Sequence, residues 1–174
     1  MGFEPAVTER VTGKADYTAP FVLQIHAIFF IGWLSLLTLQ ILLIRFSRFS
    51  VHRILGLLGF VLVPVMVVTA VLSEIHSQRF YSVENPENLQ FFIYPITTML
   101  VFAVLASTAL VFRKNPVAHK RLIVLATVSI VGSGLYRWWG DWLEEALGKG
   151  YFGIIAEFYT GYYVLLGFVV AYDF

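Results

Sequence analysis

The chain has 174 residues, of which 59% are hydrophobic and only 13% are charged, and its formal net charge is +1. Soluble domains carry about 25% charged and about 45–50% apolar residues, so this composition excludes a soluble domain with a hydrated surface. The small net charge gives no indication of a nucleic-acid partner. The absence of cysteine excludes disulfides, thiolate metal sites and cysteine nucleophiles.

Residues 1–20 are predicted to be a polar N-terminal tail, and residues 21–174 a single transmembrane helical domain. The tail has neither the apolar core nor the cleavage site of a signal peptide. The apolar runs that follow approach the length of about 20 residues that a membrane-spanning helix needs. We therefore predict an all-α integral membrane protein with five transmembrane helices in the lipid bilayer.

Helix one is predicted over 21–45, with Pro20 at its start, where the missing N–H is not needed. His26, Trp33 and Gln40 are seven positions apart and therefore share one face of this helix. Lipid does not solvate polar groups, so we expect this face to point into the helix bundle.

Helix two is predicted over about 52–73. Gly56 and Gly59 would allow a neighbouring helix to approach closely, and Pro64 is expected to kink the helix. A polar loop is predicted over 74–89.

Helix three is predicted over about 90–112, with threonines and serines that can bond to their own helix. Helix four, over about 119–139, has small residues that favour close packing. A short helix on the membrane surface is predicted over 140–149, followed by helix five over about 152–172. The sequence stops at Phe174, directly after this helix, and we expect the natural chain to continue.

Two similar stretches, Val-His-Arg-Ile-Leu and Ala-His-Lys-Arg-Leu, contain His52 and His119, which lie 67 positions apart. Each follows a short basic loop and precedes an apolar run. Helices one to four are therefore predicted to form two repeated hairpins related by an axis along the membrane normal. His26 breaks this symmetry, because Ile93 stands 67 positions further on.

The predicted basic loops, 45–53 and 113–121, carry seven positive residues and no acidic one, whereas the other polar segments carry five positive and nine acidic residues. The positive-inside rule places the basic loops in the cytoplasm and the N-terminus outside. We expect a multi-pass protein of the bacterial inner membrane, with Arg53, Lys120 and Arg121 at the cytoplasmic rim beside lipid headgroups.

The histidines offer two interpretations. His52 and His119, at equal depth on two helices, could be the axial ligands of a haem iron, or they could bind lipid phosphate at the headgroup level. His26, inside a span, could ligate haem or a metal, or hydrogen-bond a quinone. A structural role for His26, bonded to a backbone carbonyl or to Glu157, is the alternative, and His76 is the histidine that could reach it from the predicted loop.

Arg137 and Glu157 are predicted to lie at similar depths in helices four and five. Each charge needs a partner inside a membrane, so a structural ion pair between them is expected. Asp141, four residues after Arg137, is the competing partner. The tyrosines at 159, 162 and 163 could be packing residues or line a ligand site, and packing is the commoner role.

No hydrolase motif, nucleotide-binding loop or metal-binding motif occurs, so the sequence assigns no catalytic residue. We therefore expect an accessory or assembly subunit that packs against other membrane subunits through its many aromatic side chains. The alternative is a b-type haem-binding redox protein that exchanges electrons with quinone.

The pattern His-Arg-x-Leu-Gly at 52–56, with His-Lys-Arg-Leu at 119–122 and Arg137 at the end of that helix, resembles an uncharacterised family of small bacterial polytopic membrane proteins. The resemblance covers residues 21–139. That family is similar in layout to four-helix transmembrane cytochromes of the b type. The resemblance implies that His26, His52 and His119 are haem ligands. Since His26 has no clear partner, at most one haem is expected.

Overall fold

The computed structural model describes residues 20–84, 93–148 and 150–173, with the side chains of 80–84, 133, 136, 137, 172 and 173 outside the description. These residues form helices and no strand, which confirms the all-α prediction. The helices are α1 (Phe21–Arg45), α2 (Phe49–Gly56), α3 (Gly59–Glu84), α4 (Ile93–Val111), α5 (Pro116–Leu147) and α6 (Tyr151–Asp173).

The chain divides into two units. The first unit is Ala19–Ala126, and the second contains Thr127–Phe174. Helix α5 begins in the first unit and ends in the second.

Four stretches of the described residues are long and apolar enough to cross a membrane. The chain is therefore a multi-pass membrane protein. Helix α5, which corresponds to the predicted fourth span, is not among them, so the count of five spans stays a prediction. The four stretches are Phe21–Arg45, Phe49–Arg79, Ile93–Val111 and Tyr151–Ala171.

Helix α1 has the predicted bounds. It begins after Pro20, whose carbonyl accepts hydrogen bonds from the backbone N–H groups of Leu23 (3.0 Å) and Gln24 (3.3 Å). At the other end Ser47 adopts a positive φ of 57°, which reverses the chain into the next helix. The bond from Arg48 N–H to the carbonyl of residue 43 (2.7 Å) closes this turn.

The predicted second helix is two helices. A turn at Leu57 and Leu58 separates α2 from α3, and the two N–H groups bond to carbonyls three residues earlier, at 3.1 and 3.0 Å. Pro64 lies inside α3 without ending it.

The loop predicted over 74–89 is wrong over 74–84, because α3 continues to Glu84. One reason lies in the side chains: Gln78 Nε2 donates to Glu74 Oε1 at 2.7 Å, one helical turn away. His76 therefore lies exposed on a helix instead of in a loop. Residues 85–92 lie outside the described part.

The core of the first unit forms where α1, α3 and α4 meet. The Trp33 ring packs edge-on against Phe102, with ring centroids 5.1 Å apart, and only 4% of Trp33 is exposed. Met66 of α3 is fully buried. In lipid, such packing contacts hold helices together more than hydrophobic burial does. The inward orientation predicted for Trp33 is confirmed.

Glycines permit close packing at two places. A methyl group at Gly59 would lie 3.2 Å from Leu110 of α4, as the predicted close approach requires. In the second unit, a methyl group at Gly132 of α5 would overlap the Tyr162 ring of α6. The Tyr162 hydroxyl donates to the Ser129 carbonyl at 3.1 Å, so this tyrosine is a packing residue, as interpreted from the sequence.

The short surface helix predicted over 140–149 is wrong as a separate element. Helix α5 runs without interruption to Leu147, since a single glycine such as Gly140 costs a helix only about 1 kcal/mol. The helix ends at Gly148, whose φ of 76° is the left-handed conformation that glycine adopts readily.

Gly132→Ala should destabilise the second unit by about 1–3 kcal/mol, because the added methyl group forces the Tyr162 ring out of its place. Gly134→Ala is the matched control, since no atom lies within 4 Å of a methyl group there. Thermal unfolding in detergent should show a lower Tm for the first variant alone. Equal Tm values would contradict the packing described.

Candidate functional site

The two basic turns lie at the same end of the first unit. The Arg113 guanidinium, after α4, lies 5.3 Å from the centroid of the Phe60 ring, near the start of α3. The basic side chains of this end are all exposed, so they are available to anionic groups such as lipid phosphates. They are Arg45, Arg48, Arg53, Arg113, Lys114, Lys120 and Arg121.

His52 and His119 occupy equivalent places in their helices. Each is the fourth helical residue, of α2 and α5 respectively. The backbone N–H of His52 donates to the Arg48 carbonyl (3.0 Å), and that of His119 to the Asn115 carbonyl (2.9 Å). The sequence similarity between the two stretches thus extends to their local structure.

The His119 ring has a defined hydrogen bond. Its Nδ1 lies 2.8 Å from the Ala109 carbonyl oxygen in the last turn of α4. A carbonyl only accepts, so Nδ1 carries the proton and donates. In the neutral ring this leaves the lone pair on Nε2, which is the arrangement that metal-ligating histidines usually have.

The His52 ring lies beside the Gln40 backbone carbonyl and close enough to His119 for the two rings to interact electrostatically. The structure therefore brings together the two histidines that the sequence pairs. Among the described residues, however, the buried Nδ1 of His52 has no hydrogen-bond partner.

Gln40 also has buried polar atoms that lack a hydrogen-bond partner. Its side-chain Oε1 and Nε2 are both buried without a partner in the described part of the chain. Its Nε2 lies 3.7 Å from where a methyl group at Gly56 would stand. A buried polar group without a partner costs about 1–3 kcal/mol. We call Gln40, His52 and His119 the histidine cluster.

His26 lies elsewhere. It precedes Gln40 by 14 residues, which is about 21 Å along α1. Its Nδ1 lies 3.3 Å from Thr69 Oγ1. Thr69 donates its one hydroxyl proton to the Val65 carbonyl (2.8 Å), so the threonine oxygen accepts from His26. The hydrogen-bond partner that the structure gives to His26 is thus a threonine of α3.

The predicted Arg137–Glu157 pair cannot be placed. The Arg137 side chain lies outside the described residues, while Glu157 is half-buried in α6 and Asp141 is exposed on α5. The ion pair therefore stays a prediction.

No protein-family model, curated protein or solved structure matches this chain. The resemblance to the bacterial membrane family and to b-type cytochromes thus stays a prediction. Within the described residues, no three histidine, aspartate or glutamate side chains come close enough together to hold a metal ion. A haem iron needs only two imidazoles, which the histidine cluster offers.

Thr69→Val should weaken the first unit, because it removes the acceptor of the His26 hydrogen bond between α1 and α3. Hydrogen bonds between membrane helices contribute about 0.6 kcal/mol on average and about 1.7 at most, so we expect a loss in that range. Thr69→Ser should retain it.

Thr38→Val is the control for this variant. Thr38 is exposed, and its hydroxyl donates to the Leu34 carbonyl of its own helix, at 2.9 Å. Unfolding in detergent should therefore be unchanged by it. A Thr69→Val protein as stable as Thr38→Val would show that the interhelical bond contributes nothing.

Proposed function

We propose that this chain is a membrane redox protein that holds one b-type haem between His52 and His119. The observation that carries the proposal is the matched position of the two histidines, each the fourth residue of its helix, at the same end of the first unit and close enough to interact electrostatically. His52 belongs to the long apolar stretch Phe49–Arg79, an environment of the kind in which transmembrane b-type haems are held. Nothing in the described residues bears on the accessory-subunit hypothesis, which stays a prediction.

The donor set fits a haem iron. Neutral imidazoles ligate iron through a ring nitrogen that carries a lone pair. The bond from His119 to the Ala109 carbonyl keeps Nε2 of that ring in this form and orients it. His52 supplies the second imidazole from α2.

A haem bound there would supply reversible one-electron transfer at a potential set by its axial ligands. The protein's part is to orient the two rings and to keep the nitrogen that would bind the iron, Nε2 of each ring, free of a proton. Arg53, Lys120 and Arg121 follow the two histidines in sequence and are exposed. Their charges can offset the propionates of a haem or the phosphates of lipid headgroups.

A quinone in the bilayer is the electron partner that we propose for this site, because a protein embedded in lipid meets lipid-soluble carriers directly. His26 lies about 21 Å along α1 from the level of Gln40. It is therefore left out of the haem ligands, in contrast to what the family resemblance implies. This leaves one haem.

We also propose that the chain lies in the bacterial inner membrane with its N-terminus outside. The exposed basic side chains at the end that holds the histidine cluster support this orientation, because such residues favour the cytoplasmic side. The cluster would then face the cytoplasm.

The absorption spectrum of the purified protein tests the haem. We expect a Soret band, and we expect His52→Ala and His119→Ala each to abolish or strongly weaken it, because each removes one axial ligand. His76→Ala is the matched control, since His76 is an exposed histidine of α3 outside the cluster.

A colourless, folded wild-type protein from cells supplied with haem precursor would disprove this proposal. So would a Soret band that both cluster variants retain unchanged. Loss of the band in His76→Ala would indicate general misfolding instead of ligation.

The absence of native cysteine allows a test of orientation. Single cysteines at Ser50 and Lys114 should react with a membrane-impermeant maleimide only after the cells are opened. A cysteine at His76, on the opposite side, should react in intact spheroplasts. All three positions are exposed. If the cysteines at positions 50 and 114 were labelled from opposite sides of the membrane, the two basic turns could not lie at the same end.

A further inference from the structure

We propose that Gln40 is a positioning residue of this site, whose Oε1 accepts a hydrogen bond from Nδ1–H of His52. This bond leaves the lone pair of the ring on Nε2, where an iron would be ligated. The inference rests on the proposed function, because it assigns the group that prepares the second ligand. It concerns a residue that touches the histidine, not the iron.

Position supports the assignment first. The Gln40 carboxamide lies against Gly56, which is four residues after His52 in α2 and therefore on the same face. The His52 ring, in turn, lies beside the Gln40 backbone carbonyl. Both ends of Gln40 thus face the stretch of α2 that carries His52.

The second line of support for this hydrogen bond is a set of buried polar atoms that lack partners. His52 Nδ1, Gln40 Oε1 and Gln40 Nε2 are all buried and lack partners among the described residues. A bond from Nδ1–H to Oε1 would satisfy two of the three. Gly56 adds no side chain beside the Gln40 carboxamide. The amide oxygen and nitrogen can also exchange places without any change in shape.

The third line of support is a comparison with the hydrogen bond of His119. There a backbone carbonyl, that of Ala109, accepts from Nδ1–H at 2.8 Å. The ring of His52, by contrast, lies beside the Gln40 backbone carbonyl, while its Nδ1 has no partner among the described residues, and the Gln40 side chain is the group that we propose as its acceptor. Outer acceptors of this kind fix the tautomer and orientation of ligating histidines, and their loss costs about 10–100-fold in metal affinity.

Imidazole ¹⁵N chemical shifts provide a test that does not depend on activity. The chain has four histidines, so labelling histidine alone gives few ring signals, and His52→Ala identifies the one that matters. The haem-bound protein is measured reduced, since low-spin ferrous iron is diamagnetic. We expect a protonated, hydrogen-bonded Nδ1 in His52, and we expect Gln40→Leu to shift this signal while the other three histidines keep theirs.

Gln40→Glu is the conservative variant, since it keeps an oxygen acceptor and should keep the Nδ1 signal. Gln24→Leu is the control on the same helix, since Gln24 is exposed. Haem titration should show affinity about 10–100-fold lower in Gln40→Leu and little change in the other two. If Gln40→Leu does not fold, the wild-type and Gln40→Glu spectra still show whether Nδ1 of His52 is protonated and hydrogen-bonded.

A wild-type His52 protonated on Nε2, donating to the Gln40 backbone carbonyl, would overturn the inference. A His52 signal unchanged in Gln40→Leu would also overturn it. The proposed function fails by a different result, a colourless protein, and the ring signals then still report whether the Gln40–His52 bond exists.

Discussion

Polar side chains inside an apolar helix must find their partners within the protein, because lipid offers none. Helix α1 shows how one set of such residues organises the first unit. His26 meets Thr69 of α3, Trp33 meets Phe102 of α4, and Gln40 lies against α2 at Gly56. These contacts, at intervals of seven residues, fix which face of α1 turns inward and hold three other helices against it.

Much of this could be predicted from the sequence. The apolar run and Pro20 set the bounds of α1, and the spacing of its polar residues identified the buried face. The C-terminal end of α3 and the continuity of α5 through residue 147 could not be predicted. Hydropathy shows where an apolar run ends, but a helix can continue beyond that point. Local bonds such as that from Gln78 to Glu74 extend helices beyond the membrane-compatible stretch, and such bonds carry no hydropathy signal.

At the candidate site, too, the sequence predicted some features and not others. Repetition of a histidine beside a basic residue was enough to single out His52 and His119, and their pairing as ligands stays a prediction. The acceptors could not be foreseen, because the Ala109 carbonyl is a backbone group that no residue type reveals. The environment of Gln40 depends on how α1 and α2 pack, and the partner of His26 depends on α1 and α3. Sequence thus indicates which rings are candidates, while tertiary contacts decide which nitrogen of each ring is available.

Helix α2 has only eight residues and is bounded by turns, at Ser47 before it and at Leu57 and Leu58 after it. His119, by contrast, lies in α5, a helix of 32 residues. The His52 ring can be redirected by a few backbone torsions in these turns, whereas His119 is followed by a long uninterrupted helix. The two histidines of the cluster therefore lie on backbone segments of different length, and in the haem site that we propose any exchange of a ligand should begin at His52.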